Sequence, residues 1–428
     1  MKTAVFGLWH LGCVTAACLA ESGCETIGIH PDADVIAGLQ RGKAPLSEPG
    51  LDDLIAAQTA KGSLSFSSDP ASVSAVDLVW VTFDTPVDDE DRADVAFVTS
   101  QVEGLFPHLA PGSTVLISSQ VPVGTTTALA KRFHELTGRD DVAFAYSPEN
   151  LRLGRALAAF RDAESRIIGT VDGEPSATIE AAFSNLNAPL LWMTRESAEM
   201  VKHALNSYLA LCVTYANEIA AVCERVGADA RDVERAIRTD PRIGARAYVR
   251  AGSAFAGGTL ARDVTFLKQL ASELDVPISL IPEILTSNRQ NQTWPLRQLQ
   301  RHLGSLKGRV VAILGLAYTP GTSTSRRSAM LELATSIAEA GGQARIYDVL
   351  ISSLPAAPDG VTVCDSLKAA LDGASAVVIG QIDASQYNVT PELLRSAMER
   401  SLIIDQDRLL AAMASVPSLE YVTFGRPS

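Results

Sequence analysis

The sequence predicts an α/β protein with two doubly wound parallel sheets joined by a central helical segment. Three observations carry this. Short apolar strands alternate with helical patterns toward both ends of the chain, the order that covers a parallel sheet on both faces. Two of these strands, at residues 3–7 and 309–315, run straight into a glycine, as the opening strand of a Rossmann-like unit does. Between them, residues 196–226 hold neither proline nor glycine, which predicts one long spine helix. A length of 428 residues accommodates two or three cores. The expected domains are 1–193 (dinucleotide binding), 194–303 (helical) and 304–428 (a second, smaller Rossmann-like unit).

In chain order, residues 3–7 read as a buried strand, 11–21 as a helix and 25–30 as the next strand. Further strands are expected at 77–83, 114–118, 142–146 and 165–169. After the spine helix, helical material runs from about 232 to 303, broken by a glycine-rich loop and Pro277. A strand restarts at 309–315, followed by a helix at about 328–341. Strands at 344–348, 376–379 and 401–404 complete the second unit.

The composition is that of an ordinary globular protein, 47% hydrophobic and 20% charged. A net charge of −13 argues against nucleic-acid or acidic-membrane partners, which call for basic patches. It leaves room for an anionic nucleotide held by backbone N–H groups. The six cysteines show no C-x-x-C pair and no metal-like spacing with the six histidines, so no metal is expected and buried thiols are. With no signal peptide and no membrane-length apolar run, the expected location is the cytoplasm.

The first turn, Gly7-Leu-Trp-His-Leu-Gly12, is a degenerate dinucleotide fingerprint. The second glycine, where backbone meets pyrophosphate, is Trp9, whose side chain is expected to crowd the phosphate. The acidic residue that binds the adenosine ribose is His30. Losing that carboxylate also removes the repulsion that rejects NADP, so NAD is expected and NADP left open.

Further motifs are Gly42-Lys-Ala-Pro-Leu-Ser-Glu-Pro-Gly-Leu51, Asp84-Thr85-Pro86, Ser119-Gln-Val-Pro-Val-Gly-Thr125 and Ser147-Pro-Glu-Asn-Leu-Arg-Leu-Gly154. Glu199-Met-Val-Lys-His-Ala-Leu-Asn206, Asp240-Pro-Arg-Ile-Gly244, the loop Gly252-Ser-Ala-Phe-Ala-Gly-Gly-Thr-Leu-Ala-Arg-Asp263 and Gly315-Leu-Ala-Tyr318 follow in order. Taken in this order, the motifs resemble those of the UDP-glucose/GDP-mannose dehydrogenase family. The resemblance implies that Gly7, Leu8, Leu11, Gly12, His30, Thr85 and Gln120 bind the cofactor. It implies catalytic roles for Glu149, Lys202, Asn206 and Asp263, and sugar contacts from Leu151, Arg242, Phe255, Gly257 and Arg326. Lys202 and Asn206 lie four apart on the spine helix and share a face; a fixed cation and an amide dipole suit a developing oxyanion. A homodimer through the long helix is also implied.

The departures cluster where the chemistry happens. Thr259 stands at the position of the family's cysteine, which captures the sugar aldehyde as a thiohemiacetal. Leu153 replaces the second glutamate of the family's P-E-F-L-x-E-G, Gln120 a threonine, and Thr319 a lysine. A threonine hydroxyl is a far weaker nucleophile than a thiolate. The expected function is therefore a nucleotide-sugar oxidoreductase limited to two-electron, NAD(P)-dependent oxidation. The alternatives are a redox-neutral, epimerase-like enzyme with tightly bound NAD, and a non-catalytic nucleotide-sugar-binding homologue or structural partner.

Overall fold

The computed structural model describes residues 1–88, 93–149, 151, 153–256, 258–317, 328–354 and 357–427. The chain divides into two compact units, Met1–Leu205 and Asn206–Ser428. The first unit holds β1 (Lys2–Phe6), β2 (Glu25–Ile29), β3 (Leu64–Ser67), β4 (Leu78–Val81), β5 (Thr114–Ile117), β6 (Ala143–Tyr146), β7 (Arg166–Thr170) and β8 (Leu190–Thr194). They form one sheet in the order β3-β2-β1-β4-β5-β6-β7-β8. The second unit holds β9 (Val310–Leu314), β10 (Gln343–Tyr347), β11 (Val361–Val363), β12 (Ala376–Ile379), β13 (Leu402–Asp405) and β14 (Glu420–Val422), ordered β11-β10-β9-β12-β13-β14. In each sheet the strand order reverses beside the opening strand, β1 or β9. This is the switch point outside which α/β sheets bind ligands.

The expected α/β architecture is present, with one junction that alternation does not predict. β6 and β7 pair antiparallel through Tyr146 and Gly169, whereas β7 and β8 pair parallel over five residues. The cores show why both sheets are buried on both faces. Along β4, Leu78 and Trp80 enter one apolar cluster while Val79 and Val81 enter the other. Along β9, Val311 and Ile313 alternate with Ala312 and Leu314 in the same way.

The spine helix is one uninterrupted element, Arg195–Val226, 32 residues long, beginning directly after β8. Among the described residues no helix is long and apolar enough to cross a membrane.

The helix after β1 packs closely on the turn that precedes it. A Cβ on Gly12 would stand 2.0 Å from the Gly7 carbonyl oxygen and 2.7 Å from Thr82 Oγ1. Only a residue without a side chain lets the helix His10–Glu21 start this close to the strand. Gly12→Ala is expected to lower stability by about 1–3 kcal/mol through overpacking, read as a fall in denaturation midpoint relative to wild type.

Candidate active site

The turn after β1 is held by the end of β2. Gly7 N–H donates to the Ile29 carbonyl at 2.9 Å, and Leu8 N–H donates to His30 Nδ1 at 3.0 Å. A backbone N–H can only donate, so Nδ1 carries the lone pair and the neutral imidazole keeps its proton on Nε2. Burial holds the His30 pKa below the ordinary histidine value, and the field of the Asp32 carboxylate opposes that shift. The ring centroid lies 6.0 Å from that of Phe83.

The second unit meets the same requirement with a carboxylate. Gly315 N–H donates to the Tyr347 carbonyl. Leu316 and Ala317 N–H donate to Asp348 Oδ2 at 2.7 and 3.1 Å.

Within the helix His10–Glu21 the first internal bond runs from Cys13 N–H to the Trp9 carbonyl. The N–H groups of His10, Leu11 and Gly12 therefore face the open helix end, where an anion binds favourably. Trp9 is the N-cap of this helix and is 44% exposed. Thr85 Oγ1 donates to the Gln120 carbonyl at 2.7 Å, which ties the loops after β4 and β5 together. Gly7, Leu8, Leu11, Gly12, His30, Thr85 and Gln120 thus all lie beyond the carboxyl ends of β1, β2, β4 and β5. These residues fit a dinucleotide.

Two buried carboxylates brace this edge. Glu48 accepts His10 Nε2, Gly154 N–H and Ala156 N–H, each at 2.8 Å. Glu199, fully buried on the spine helix, accepts Gly124 N–H at 2.6 Å, Thr126 N–H at 2.9 Å and Thr126 Oγ1 at 2.7 Å. It thereby caps the helix Thr125–Thr137, whose N-cap is the glycine Gly124. Burial raises the Glu199 pKa, and the bonds to Thr126 and Gly124 work against the rise.

Lys202, three residues on, is buried and donates from Nζ to the Glu149 backbone carbonyl at 2.6 Å. Glu149 follows β6 and is half-buried; burial holds the Arg166 guanidinium pKa below its ordinary value, and the field of the Glu149 carboxylate opposes that shift. Leu151 packs against the adjoining apolar core.

In the second unit the glycine loop is pinned by side chains. Gly252 N–H donates to Asn217 Oδ1 at 2.9 Å, and its carbonyl accepts Asn291 Nδ2 at 3.0 Å. Ser253 N–H donates to Asp407 Oδ1 at 2.8 Å. A Cβ on Gly252 would fall 2.1 Å from that oxygen, so a side chain there would displace the Asp407 carboxylate. Phe255 exchanges two bonds with the Asn288 amide, N–H to Oδ1 at 3.0 Å and Nδ2 to carbonyl at 2.8 Å. The amide stands in for a strand partner.

Gly258, at φ +107°, then caps the helix Thr259–Glu273, so Thr259 is its first residue and is exposed. Asp263, one turn further on, is fully buried and accepts Asn206 Nδ2. Arg242 stands apart, exposed and bidentate to Asp240 at 3.0 and 2.7 Å. Gly257 and Arg326 lie outside the described residues.

Sequence reasoning placed Glu48 and Asn217 in family-like segments without a job, and passed over Asn288, Asn291 and Asp407. A buried asparagine on an amphipathic helix was the one available signal, since such an amide must find partners.

Cys13, Cys18, Cys24, Cys212 and Cys223 are buried, and Cys364 is half-buried. Burial pushes the Cys13 and Cys18 thiols up to about 12 and raises those of Cys24 and Cys364.

Three domains of one family match the chain in order. They are the NAD binding domain of the UDP-glucose/GDP-mannose dehydrogenase family over residues 1–187, its central domain over 196–290 and its UDP binding domain over 312–412. The chain belongs to the UDP-glucose/GDP-mannose dehydrogenase family. A UDP-glucose 6-dehydrogenase of Pseudomonas aeruginosa is 31% identical over 100% of this chain and 98% of its own. That of Rhizobium meliloti is 29% identical over the full length of both. The structure of a UDP-glucose dehydrogenase from Pyrobaculum islandicum superposes with a TM-score of 0.85 at 28% identity, covering 94% of this chain and 93% of that one. Membership makes this chain an oxidoreductase of the NAD-dependent nucleotide-sugar dehydrogenase type, with NAD as its cofactor.

In this family member the His30–Leu8 bond predicts a pH response. The native pKa of His30 lies below its ordinary value of 6.5. Between those two values the unfolded chain binds a proton that the native state does not. Stability therefore rises with pH through that window and is lost as pH falls below 6.5. In His30→Asn the amide oxygen accepts Leu8 N–H without titrating. Thermal denaturation from pH 7.5 down to 5 is expected to show a shallower loss of midpoint in this variant than in wild type.

Proposed function

We propose that this chain catalyses a two-electron oxidation of an alcohol carbon on a nucleotide-sugar and releases an aldehyde or ketone. The observation that carries the reading is Thr259, which occupies the first position of the helix Thr259–Glu273 where the family resemblance expects a cysteine. The relatives named UDP-glucose 6-dehydrogenase and the UDP binding domain match support a nucleotide-sugar as substrate. We further propose that the chain functions as three domains, 1–193, 194–303 and 304–428.

When bound, NAD supplies the two-electron acceptor. The carbinol C–H bond breaks with its electron pair, and the hydroxyl proton leaves to a base or water. Lys202, fixed by the Glu149 carbonyl, supplies a cation for the developing oxyanion. The Asn206–Asp263 pair orients hydroxyl or water. A second oxidation through a covalent adduct needs a nucleophile that Thr259 does not provide, and Leu153 stands where its hydrolysis needs a carboxylate. A cytoplasmic setting belongs to this reading, since both reactants are nucleotides.

The spine helix supports a homodimer. Tyr208, Tyr215 and Val222 recur at seven-residue spacing and are 62%, 52% and 57% exposed, an apolar stripe suited to a second copy of the same helix.

Incubation with UDP-, GDP- and ADP-sugars and NAD is expected to give one equivalent of reduced cofactor per sugar. Two equivalents with a uronate product sink the proposal, and tight nucleotide binding without turnover favours the non-catalytic alternative. Thr259→Cys is expected to accumulate a sugar adduct on the new thiol, visible by intact mass, because Leu153 does not support its hydrolysis. For the assembly, sedimentation of wild type is expected to show a dimer. Tyr208→Glu with Tyr215→Glu is expected to weaken it by about a hundredfold or more, by burying charge at the centre of the stripe.

A further inference from the structure

We propose that His30 sets the choice of dinucleotide: it presents an Nε2–H donor where a carboxylate would stand, so NADPH is accepted alongside NADH. The inference rests on the dinucleotide reading of the first unit and concerns which dinucleotide that site admits.

In a Rossmann-like unit the acidic residue ending the second strand accepts from the ribose 2′-hydroxyl and excludes a 2′-phosphate by charge. His30 holds that place directly after β2. Its ring has two separable tasks. Nδ1 is committed to Leu8 N–H, which fixes the tautomer and leaves Nε2 as the N–H. A neutral donor at the ribose can serve a hydroxyl oxygen or a phosphate oxygen equally. The comparison with β10 shows that the turn-holding task does not require histidine: Asp348 performs it with one carboxylate oxygen. What histidine changes is the second atom, from an anionic acceptor to a neutral donor.

The surroundings agree. A cleft of about 180 Å³ opens at the same strand end, lined in part by Ile29 and Pro31 on either side of His30, with Phe6, Ser68, Pro70 and Leu105. A heteroaromatic base seated there brings its ribose to this strand end. Asp32, the nearby carboxylate whose field reaches His30, accepts Asp34 N–H at 2.8 Å as the cap of the helix Ala33–Gln40. The positive end of that helix offsets its charge.

The test uses full-length protein and direct binding of NADH and NADPH, read by nucleotide fluorescence. His30→Asp and His30→Asn both place an oxygen where Nδ1 accepts Leu8 N–H. They differ in the second atom, an anionic oxygen in one and an N–H donor in the other. Wild type is expected to bind the two cofactors with dissociation constants within about tenfold, a span of about 1.4 kcal/mol. His30→Asp is expected to widen the ratio in favour of NADH by at least about tenfold, and His30→Asn to keep the wild-type ratio. A wild-type preference for NADH above about tenfold, or an unchanged ratio in His30→Asp, overturns the proposal. The wild-type ratio decides even if a variant misfolds. Binding of neither dinucleotide by wild type would overturn the cofactor reading itself, which is a different result from binding without discrimination.

Discussion

A strand that turns straight into a helix leaves the N–H of the turn with no strand partner, and that group must still be satisfied. Both units of this protein meet the demand by reaching one strand sideways. His30 accepts from Leu8, and Asp348 accepts from Leu316 and Ala317. The rest of the ligand edge depends on it. Once the turn is fixed, the helix starts against the strand at a distance that tolerates no Cβ at Gly12, and its free N–H groups point outward as an anion site.

The same physics explains how a chain of net charge −13 can receive anionic ligands. Among the described residues, the edge that fits a dinucleotide offers backbone dipoles held by buried carboxylates. Glu48 spends its oxygens on His10, Gly154 and Ala156, and Glu199 spends its own on Gly124 and Thr126. Each anion satisfies backbone N–H groups at the start of a helix, where the macrodipole favours it. These glutamates position neighbours and are themselves turned inward.

Much of the fold is legible in the sequence because central strands of a doubly covered sheet are continuous apolar runs. The strands that escape such a reading are β3, β8, β11 and β14, and these are the four edges of the two sheets. Edge strands are half solvated, so their residues mix polar and apolar without a run; β8 and β14 contain no fully buried residue at all. The site divides similarly. Gly7, Gly12, His30, Lys202 and Thr259 stand at recognisable spacings, whereas the anchors of the glycine loop do not. Asn288 and Asp407 reach their partners across 33 and 154 residues of chain, and no local pattern encodes a bond of that span. His30 was visible as a departure from the fingerprint, but its bond to Leu8 was not.

The burial of the cysteines has a consequence for redox tolerance. Oxidants and alkylating agents attack the thiolate, so a thiol is vulnerable in proportion to its ionised, accessible fraction. Burial shields five of the six cysteines from such reagents, and it pushes the Cys13 and Cys18 thiols up to about 12. Those five thiols become reactive only when the chain opens, so thiol labelling reports unfolding of this protein.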